Sequence, residues 1–225
     1  MLNQSLQSMM ADAKDRGWVL EPQAKQIMKG QGLEIPAFVL TRDPAEASAF
    51  LARTDNAVVA KAVSGQILHK TEFDAVVTHI RDAATLEREM DRLLALPDCE
   101  QILIEEMVQG IEVMIGSKND VQFGPVVLLG LGGTAVEIYN DTAIRLAPVT
   151  PGDVLSMVDS LTAAPLFKGH RGQAGVNLDA LQECVVAFSN LVMELEPWYE
   201  SIDLNPVICG PDACVVADAR IMLFK

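Results

Sequence analysis

Apolar residues recur at helical spacing in several separated stretches of the chain. Near the N-terminus, Leu2, Leu6, Met9, Met10 and Ala13 form one apolar stripe, which predicts an amphipathic first helix. Capping residues, a proline in the first turn and glycines after the last turn mark the bounds of further helices. These helices are predicted at about 22–30, 44–53, 83–96, 151–161 and 178–195.

Short apolar runs between the helices are bounded by turn residues and have the length of strands. They predict strands at 37–40, 58–63, 75–80, 101–105, 112–117, 125–131, 143–146, 201–208 and 214–223. Helices and strands alternate in the first half of the chain, and a strand-rich stretch with two helices follows. This order predicts an α+β fold.

Composition and charge narrow the functional classes. The chain has 225 residues and half of them are apolar, which is enough for one large domain or two smaller subdomains. The formal net charge of −14 argues against nucleic-acid binding, because phosphate contacts need clustered lysine and arginine. No apolar run is long enough to span a membrane, and the N-terminal segment does not resemble a signal peptide. The four cysteines form no Cys-x-x-Cys pair, so we expect reduced thiols in a cytoplasmic protein and no zinc site.

A lysine in the middle of the apolar strand at 58–63 is the first candidate for chemistry. Lys61 is costly to bury unless an anion meets its ammonium group. One interpretation is therefore a contact with a phosphate. The other is an edge strand from which the amine reaches water.

Three further segments carry polar groups beside strands. His69 and Lys70 lie in a polar loop, where the imidazole could attack a phosphoryl group or simply face solvent. Another strand ends in a Glu-Glu pair that includes Glu105, and Glu112 opens the next strand; this suits either an adenosine site or an acidic hairpin. The glycines of Gly130-Leu131-Gly132-Gly133 could let the backbone approach a phosphate or could form a tight turn.

Oxygen donors cluster near the C-terminus. Asp203 and Asn205 are two residues apart in the strand at 201–208, so we expect them to point to the same face. Asp218, on the next predicted strand, could add a second carboxylate. Such oxygens suit Mg²⁺, which keeps several waters and shares substrate phosphates. The alternative is a structural Asn-Pro turn with a capping aspartate.

In this order, the segments resemble the ATP-grasp module of ADP-forming (NDP-forming) acyl-CoA synthetases, and the resemblance covers nearly the whole chain. It implies an ATP-grasp fold with an N-terminal helix at 1–19 and two α+β subdomains, at about 20–107 and 108–225, that clasp the nucleotide. The matching motifs are Leu20-Glu21-Pro22-Gln23-Ala24-Lys25, Val59-Ala60-Lys61, Ile67-Leu68-His69-Lys70-Thr71, Phe123-Gly124-Pro125-Val126, Gly130-Leu131-Gly132-Gly133, Arg145-Leu146-Ala147-Pro148, Gly169-His170-Arg171-Gly172 and Asp203-Leu204-Asn205-Pro206.

The resemblance also implies roles for individual residues. Lys61 would contact the phosphates of ATP or ADP, and His69 would be phosphorylated transiently. The adenosine and metal residues are implied as a set: adenine at Glu105 and the backbone near Val108, ribose at Glu112, and Mg²⁺ at Asn205 and Asp218 with Asp203 nearby. The implied activity is that of an acid–thiol ligase that works with a CoA-binding α subunit, in an assembly like a heterotetramer.

One loop departs from the family pattern. After the His-Lys pair the family usually reads Asp-Val-Gly-Gly-Val, whereas this chain reads Glu72-Phe73-Asp74-Ala75-Val76. Loss of both glycines predicts a stiffer loop, and Asp74 adds a negative charge. A non-catalytic, nucleotide-binding regulatory subunit is therefore the alternative function. An oxygen-liganded metal enzyme of unrelated chemistry is a third.

Overall fold

The computed structural model describes residues 4–68, 70–133, 141–172 and 174–224. They form two compact units: a central unit, Pro36–Val108, and a terminal unit that combines the chain up to Ile35 with the chain from Gln109 onward. The helices are α1 (Gln4–Ala13), α2 (Glu21–Gly30), α3 (Pro44–Leu51), α4 (Ala83–Leu94), α5 (Pro151–Ser160), α6 (Ala164–Lys168) and α7 (Leu178–Leu195). The strands are β1 (Trp18–Val19), β2 (Phe38–Thr41), β3 (Val58–Ser64), β4 (Val76–Ile80), β5 (Cys99–Glu106), β6 (Ile111–Asp120), β7 (Gly124–Leu131), β8 (Thr142–Leu146), β9 (Tyr199–Cys209), β10 (Cys214–Val216) and β11 (Arg220–Leu223).

The central unit is a four-stranded antiparallel sheet with two helices on one face. Its strand order is β2-β5-β3-β4, so β3 lies between two neighbours. Helix α3 begins at the predicted cap, where the side chain of Asp43 accepts from Ala45 N, and α4 begins at Asp82, whose side chain accepts from Thr85 N. Alternate residues of β3 and β5, such as Ala60 and Ile104, pack with α3 and α4 in one core.

The terminal unit is built on a seven-stranded antiparallel sheet. The order is β1-β11-β9-β6-β7-β8, with β10 paired to β9. Helices α5 and α7 share one core with this sheet, because alternating residues such as Ile115, Val127 and Leu204 are fully buried together with the apolar stripe of α7. The predicted α+β class is confirmed.

Two details of the predicted organisation are wrong. Residues 20–35 belong to the terminal unit and not to the subdomain that was expected at 20–107. The reason is long-range pairing: β1 adds to the edge of the large sheet beside β11, and Val216 N donates to Glu34 O at 2.8 Å. The expected single strand at 214–223 is two strands, β10 and β11, separated by a segment without strand pairing.

Short elements were missed by sequence reasoning. They are the two-residue strand β1 and the five-residue helix α6, both too short to show a period. The four cysteines are free thiols, and Cys99 is the most exposed of them. In the described part of the chain, none of the helices combines the length and hydropathy that a membrane crossing would require.

Candidate functional site

Lys61 lies in the interior of the small sheet and forms a buried ion pair. On the neighbouring strand, Leu103 is its direct partner, so Glu105, two residues further along, lies on the same side of the sheet. Lys61 Nζ is 2.7 Å from Glu105 Oε2, and both side chains are almost fully buried, with 7% and 3% of their surface exposed. The edge-strand alternative for Lys61 is therefore wrong, because β3 has a partner on each side.

The strand alternation places this pair on the face away from the helices. Ala60 and Ala62, on either side of Lys61, belong to the core that contains α3 and α4. Two buried opposite charges compensate each other, but such a pair contributes little net stability compared with apolar residues of similar size. The pair fixes the position of the ammonium group of Lys61. A phosphate oxygen could displace Glu105 from this ammonium group or bind to it alongside Glu105.

The segment around Val108 ends the central unit. Val108 follows β5 and is half-buried. Just before it, Met107 N donates to Ala57 O at 2.9 Å, and Glu106 Oε1 accepts from Asn56 Nδ2 at 2.8 Å. These contacts tie the end of β5 to the loop before β3. The backbone that carries Glu105 and Val108, the residues predicted to contact adenine, is therefore held in place by hydrogen bonds.

The loop after β3 contains a non-glycine residue with a positive φ. His69 lies outside the described residues. Directly after it, Lys70–Phe73 form a 3₁₀ turn, and Asp74 has a φ of 48°. That value lies in the left-handed region that favours glycine. Ala75 is fully buried, and its N donates to Lys70 O at 2.9 Å. At Asp74 the loop thus has the left-handed backbone conformation that glycine favours, although the residue is an aspartate.

In the terminal unit, Glu112 lies against the glycine turn after β7. Gly132 N donates to Glu112 O at 2.7 Å, and a Cβ atom on Gly132 would lie 2.8 Å from the carbonyl carbon of Glu112. Gly133 has a φ of 73°, and a Cβ atom there would collide with Glu112 Oε2. Gly133 N in turn donates to Asn205 Oδ1 at 3.4 Å. The turn therefore brings together Glu112 and Asn205, which were predicted for the ribose and the metal.

The metal-ligand candidates lie where the pairing of β9 changes register. Val113 pairs with Val207 but Ile115 pairs with Leu204, so β9 carries one extra residue in the stretch that contains Asn205. Pro206, also in this stretch, accepts from two amides through its carbonyl: Ala217 N at 3.0 Å and Asp218 N at 3.3 Å. This bulge joins the segment of Asn205 to the segment of Asp218.

Asp203 has a cationic neighbour that the sequence analysis did not assign. Arg220, its direct partner on β11, donates from Nη2 to Asp203 Oδ2 at 3.1 Å. Burial raises the pKa of Asp203 above its ordinary value, Arg220 opposes that rise, and the negative charge of Asp218 adds to it. The two carboxylates are therefore close enough for the charge of Asp218 to affect the pKa of Asp203, and we treat them as one electrostatic cluster.

The donor set of this cluster fits Mg²⁺ bound together with a nucleotide. Asn205 and Asp218 offer an amide oxygen and a carboxylate, while Arg220 already neutralises part of the charge on Asp203. Within the described residues, no group of three or more His, Cys, Asp or Glu side chains is placed to hold a metal without other help. Mg²⁺ commonly binds one or two carboxylates plus substrate phosphates, so two protein donors are sufficient.

A second buried ion pair was missed by sequence reasoning. Lys25 has no exposed surface; its Nζ lies 3.3 Å from Glu21 Oε1 and donates to Ala217 O at 2.8 Å. The available signal was its helical position, since Ala24 and Met28 on the same helix are fully buried. A lysine among such residues requires a buried partner.

Comparison with known proteins identifies the family to which this chain belongs. Residues 10–223 match the model of an ATP-grasp domain. The β subunit of acetate–CoA ligase (ADP-forming) I from Pyrococcus furiosus is 36% identical over 221 residues, which are 95% of this chain and 94% of that protein. Acetyl-coenzyme A synthetase 1 from Ca. Korarchaeum cryptofilum, described as dinucleotide forming and bound to coenzyme A and Ca-AMPCP, matches with a TM-score of 0.88 at 32% identity and covers 97% of this chain and 99% of that one.

A second structure of the Korarchaeum enzyme contains Mg-AMPPCP. It matches with a TM-score of 0.83 at 30% identity, covers 97% of this chain and all of that one, and has a phosphohistidine segment pointing towards its nucleotide-binding site. These findings confirm the resemblance seen in the sequence and the ATP-grasp fold. The chain belongs to the ATP-grasp domain family and, within it, to the group of ADP-forming acetate–CoA ligase β subunits.

Proposed function

We propose that this chain is the nucleotide-binding β subunit of an ADP-forming acyl-CoA ligase. With a CoA-binding α subunit it interconverts acyl-CoA, ADP and phosphate with acid, CoA and ATP. The observation that carries the proposal is the match to a whole β subunit, which spans 95% of this chain and 94% of the relative. We expect an assembly of the heterotetramer type, because the relative that this chain matches over almost its whole length is itself named as one subunit of a ligase.

Nucleotide binding is assigned to both units of the chain. In the central unit, Lys61 contacts the phosphates, and Glu105 with the backbone at Val108 contacts adenine. In the terminal unit, Glu112 contacts the ribose. The supporting observation is that Lys61 and Glu105 lie 2.7 Å apart and that both side chains are almost fully buried. Local cations are needed because the chain as a whole carries a net charge of −14.

Mg²⁺ is assigned to Asn205 and Asp218, with Asp203 nearby. When bound, the metal neutralises charge on the phosphates that are transferred. The work of the chain is to orient the donors: the bulge of β9 and the carbonyl of Pro206 hold the segments of Asn205 and Asp218 together. Arg220 keeps Asp203 paired, which reduces the negative charge that a phosphate would meet.

His69 is assigned as the residue that accepts and returns the phosphoryl group. Its Nδ1 or Nε2 attacks the γ-phosphorus of ATP, the bond to the β–γ bridging oxygen breaks, and ADP leaves. The reverse transfer regenerates ATP from ADP. The regulatory alternative rested on the missing glycines and on the negative charge of Asp74. Asp74 occupies the left-handed region with a φ of 48°, so the backbone at this position is the one that glycine favours. The relatives that match this chain are ligase subunits, which supports the catalytic function over the alternative.

The test of the proposal is thioester formation from acid, CoA and Mg-ATP. The chain is assayed alone and after co-expression and co-purification with its α subunit. We expect turnover only in the two-subunit sample, and loss of turnover when His69→Asn replaces the wild-type chain in it. Turnover by the purified chain alone, or full turnover with His69→Asn, would contradict the proposal.

A further inference from the structure

The buried lysine of α2 contacts a segment far away in the sequence. Lys25 Nζ donates to Ala217 O at 2.8 Å, a contact between residues 192 positions apart. Glu21, one helical turn before Lys25, supplies the balancing charge at 3.3 Å. Neither Glu21 nor Lys25 is one of the residues proposed above to bind nucleotide or metal.

The segment that Lys25 contacts is held by hydrogen bonds to two different elements. Residues 217–219 connect β10 to β11 without strand pairing. On the other side of the segment, Ala217 N and Asp218 N both donate to Pro206 O, at 3.0 and 3.3 Å. Ala217 is therefore held through its carbonyl by Lys25 and through its amide by the bulge of β9. These contacts also fix the backbone position of the next residue, Asp218.

Stability alone does not account for a charge at this place. Lys25 is surrounded on its helix by fully buried Ala24, Ile27 and Met28. A buried ion pair is often no more stabilising than apolar residues of the same volume, so an apolar pair at positions 21 and 25 would serve the core equally well. What an apolar residue lacks is a donor for the carbonyl of Ala217. Lysine at position 25 therefore serves to fix the backbone conformation of residues 217–219.

We propose that Lys25 is a positioning residue, which fixes the backbone at Ala217 and so orients the carboxylate of Asp218 for Mg²⁺. Glu21 holds the ammonium group in place and balances its charge. This inference rests on the proposed function, because it takes Asp218 as a metal ligand. The effect of Lys25 on the metal runs through the backbone at Ala217 and the carboxylate of Asp218.

The test compares Lys25→Met with Lys29→Met, a matched control in which an exposed lysine on the same helix is replaced. Mn²⁺ binding in the presence of ADP is followed by electron paramagnetic resonance, and ADP binding without metal by calorimetry in EDTA. For Lys25→Met we expect metal binding to weaken roughly 10–100-fold, as for other residues that orient a metal ligand. Metal-free ADP binding should be unchanged, and Lys29→Met should match the wild type in both assays. Lys25→Arg, which keeps a donor, should recover much of the metal affinity.

The outcomes separate this inference from the function on which it rests. If the wild type binds no Mn²⁺ with ADP, the proposed function fails first. If the wild type binds and folded Lys25→Met binds Mn²⁺ equally well, only the positioning role is overturned. Lys25→Gln provides a second neutral variant of shorter reach. Failure of both neutral variants to reach the wild-type circular dichroism spectrum would make Lys25 a structural residue and would also overturn the inference.

Discussion

The ion pair of Lys61 and Glu105 allows stability and function to be separated by mutation. The two groups are 2.7 Å apart and nearly fully buried. Glu105→Gln removes the carboxylate that pairs with this buried ammonium group, and breaking such a pair costs about 3–5 kcal/mol. For a chain of this size, that loss lowers the melting temperature by roughly 6–20 °C. Urea unfolding followed by circular dichroism measures the change in free energy.

The double variant Lys61→Met with Glu105→Leu removes both charges and fills the same space. Because apolar pairs of similar volume replace buried ion pairs at little cost, we expect stability within about 1 kcal/mol of the wild type or above it. Calorimetry should nevertheless detect no Mg-ATP binding at millimolar nucleotide, since the phosphate contact is gone. Wild-type affinity in the stable double variant would refute the reasoning, and so would an unchanged unfolding free energy for Glu105→Gln.

Three further predictions concern the glycine turn, the loop after β3 and the thiols. Gly132→Ala should lower the free energy of unfolding by about 1–3 kcal/mol because its Cβ would overlap backbone, whereas Gly30→Ala, with open space around it, should not; urea unfolding of both variants decides. Asp74→Gly should raise that free energy by about 1 kcal/mol by relieving a positive φ, and an unchanged or lower value would contradict this. Burial raises the pKa of Cys184 to about 12, so iodoacetamide at pH 8 should modify half-buried Cys99 first; equal rates in the folded protein, measured by mass spectrometry, would contradict this.

The sequence predicted those features that depend on local signals. Asp43 and Pro44 fix the start of α3 through one side-chain hydrogen bond and one preset dihedral angle, and both are visible in the sequence. The apolar stripe of α7 identified an 18-residue helix with its bounds. The glycine turn was also visible, although its tight packing against Glu112 depends on the pairing of β6 with β7.

What the sequence could not supply is the order of strands and the partners that this order creates. Lys61 could lie on an edge strand or an inner strand, and only the pairing of β3 with both β4 and β5 decides between them. The contact of Lys61 with Glu105 was not predicted, because the two residues are far apart in the sequence. Lys25 and Ala217 likewise meet only after the chain ends come together in one sheet.

Phosphorylation of His69 is the step that separates a catalytic β subunit from a subunit that only binds nucleotide. The purified chain is incubated with Mg-ATP labelled at the γ-phosphate, and the modified residue is located by mass spectrometry under conditions that preserve acid-labile phosphate. We expect acid-labile label on His69 that is removed when excess ADP is added, because the transfer is reversible. His69→Asn and the stable Lys61→Met, Glu105→Leu variant should remain unlabelled. A chain that binds Mg-ATP yet stays unlabelled, with its α subunit present as well as absent, would contradict the account.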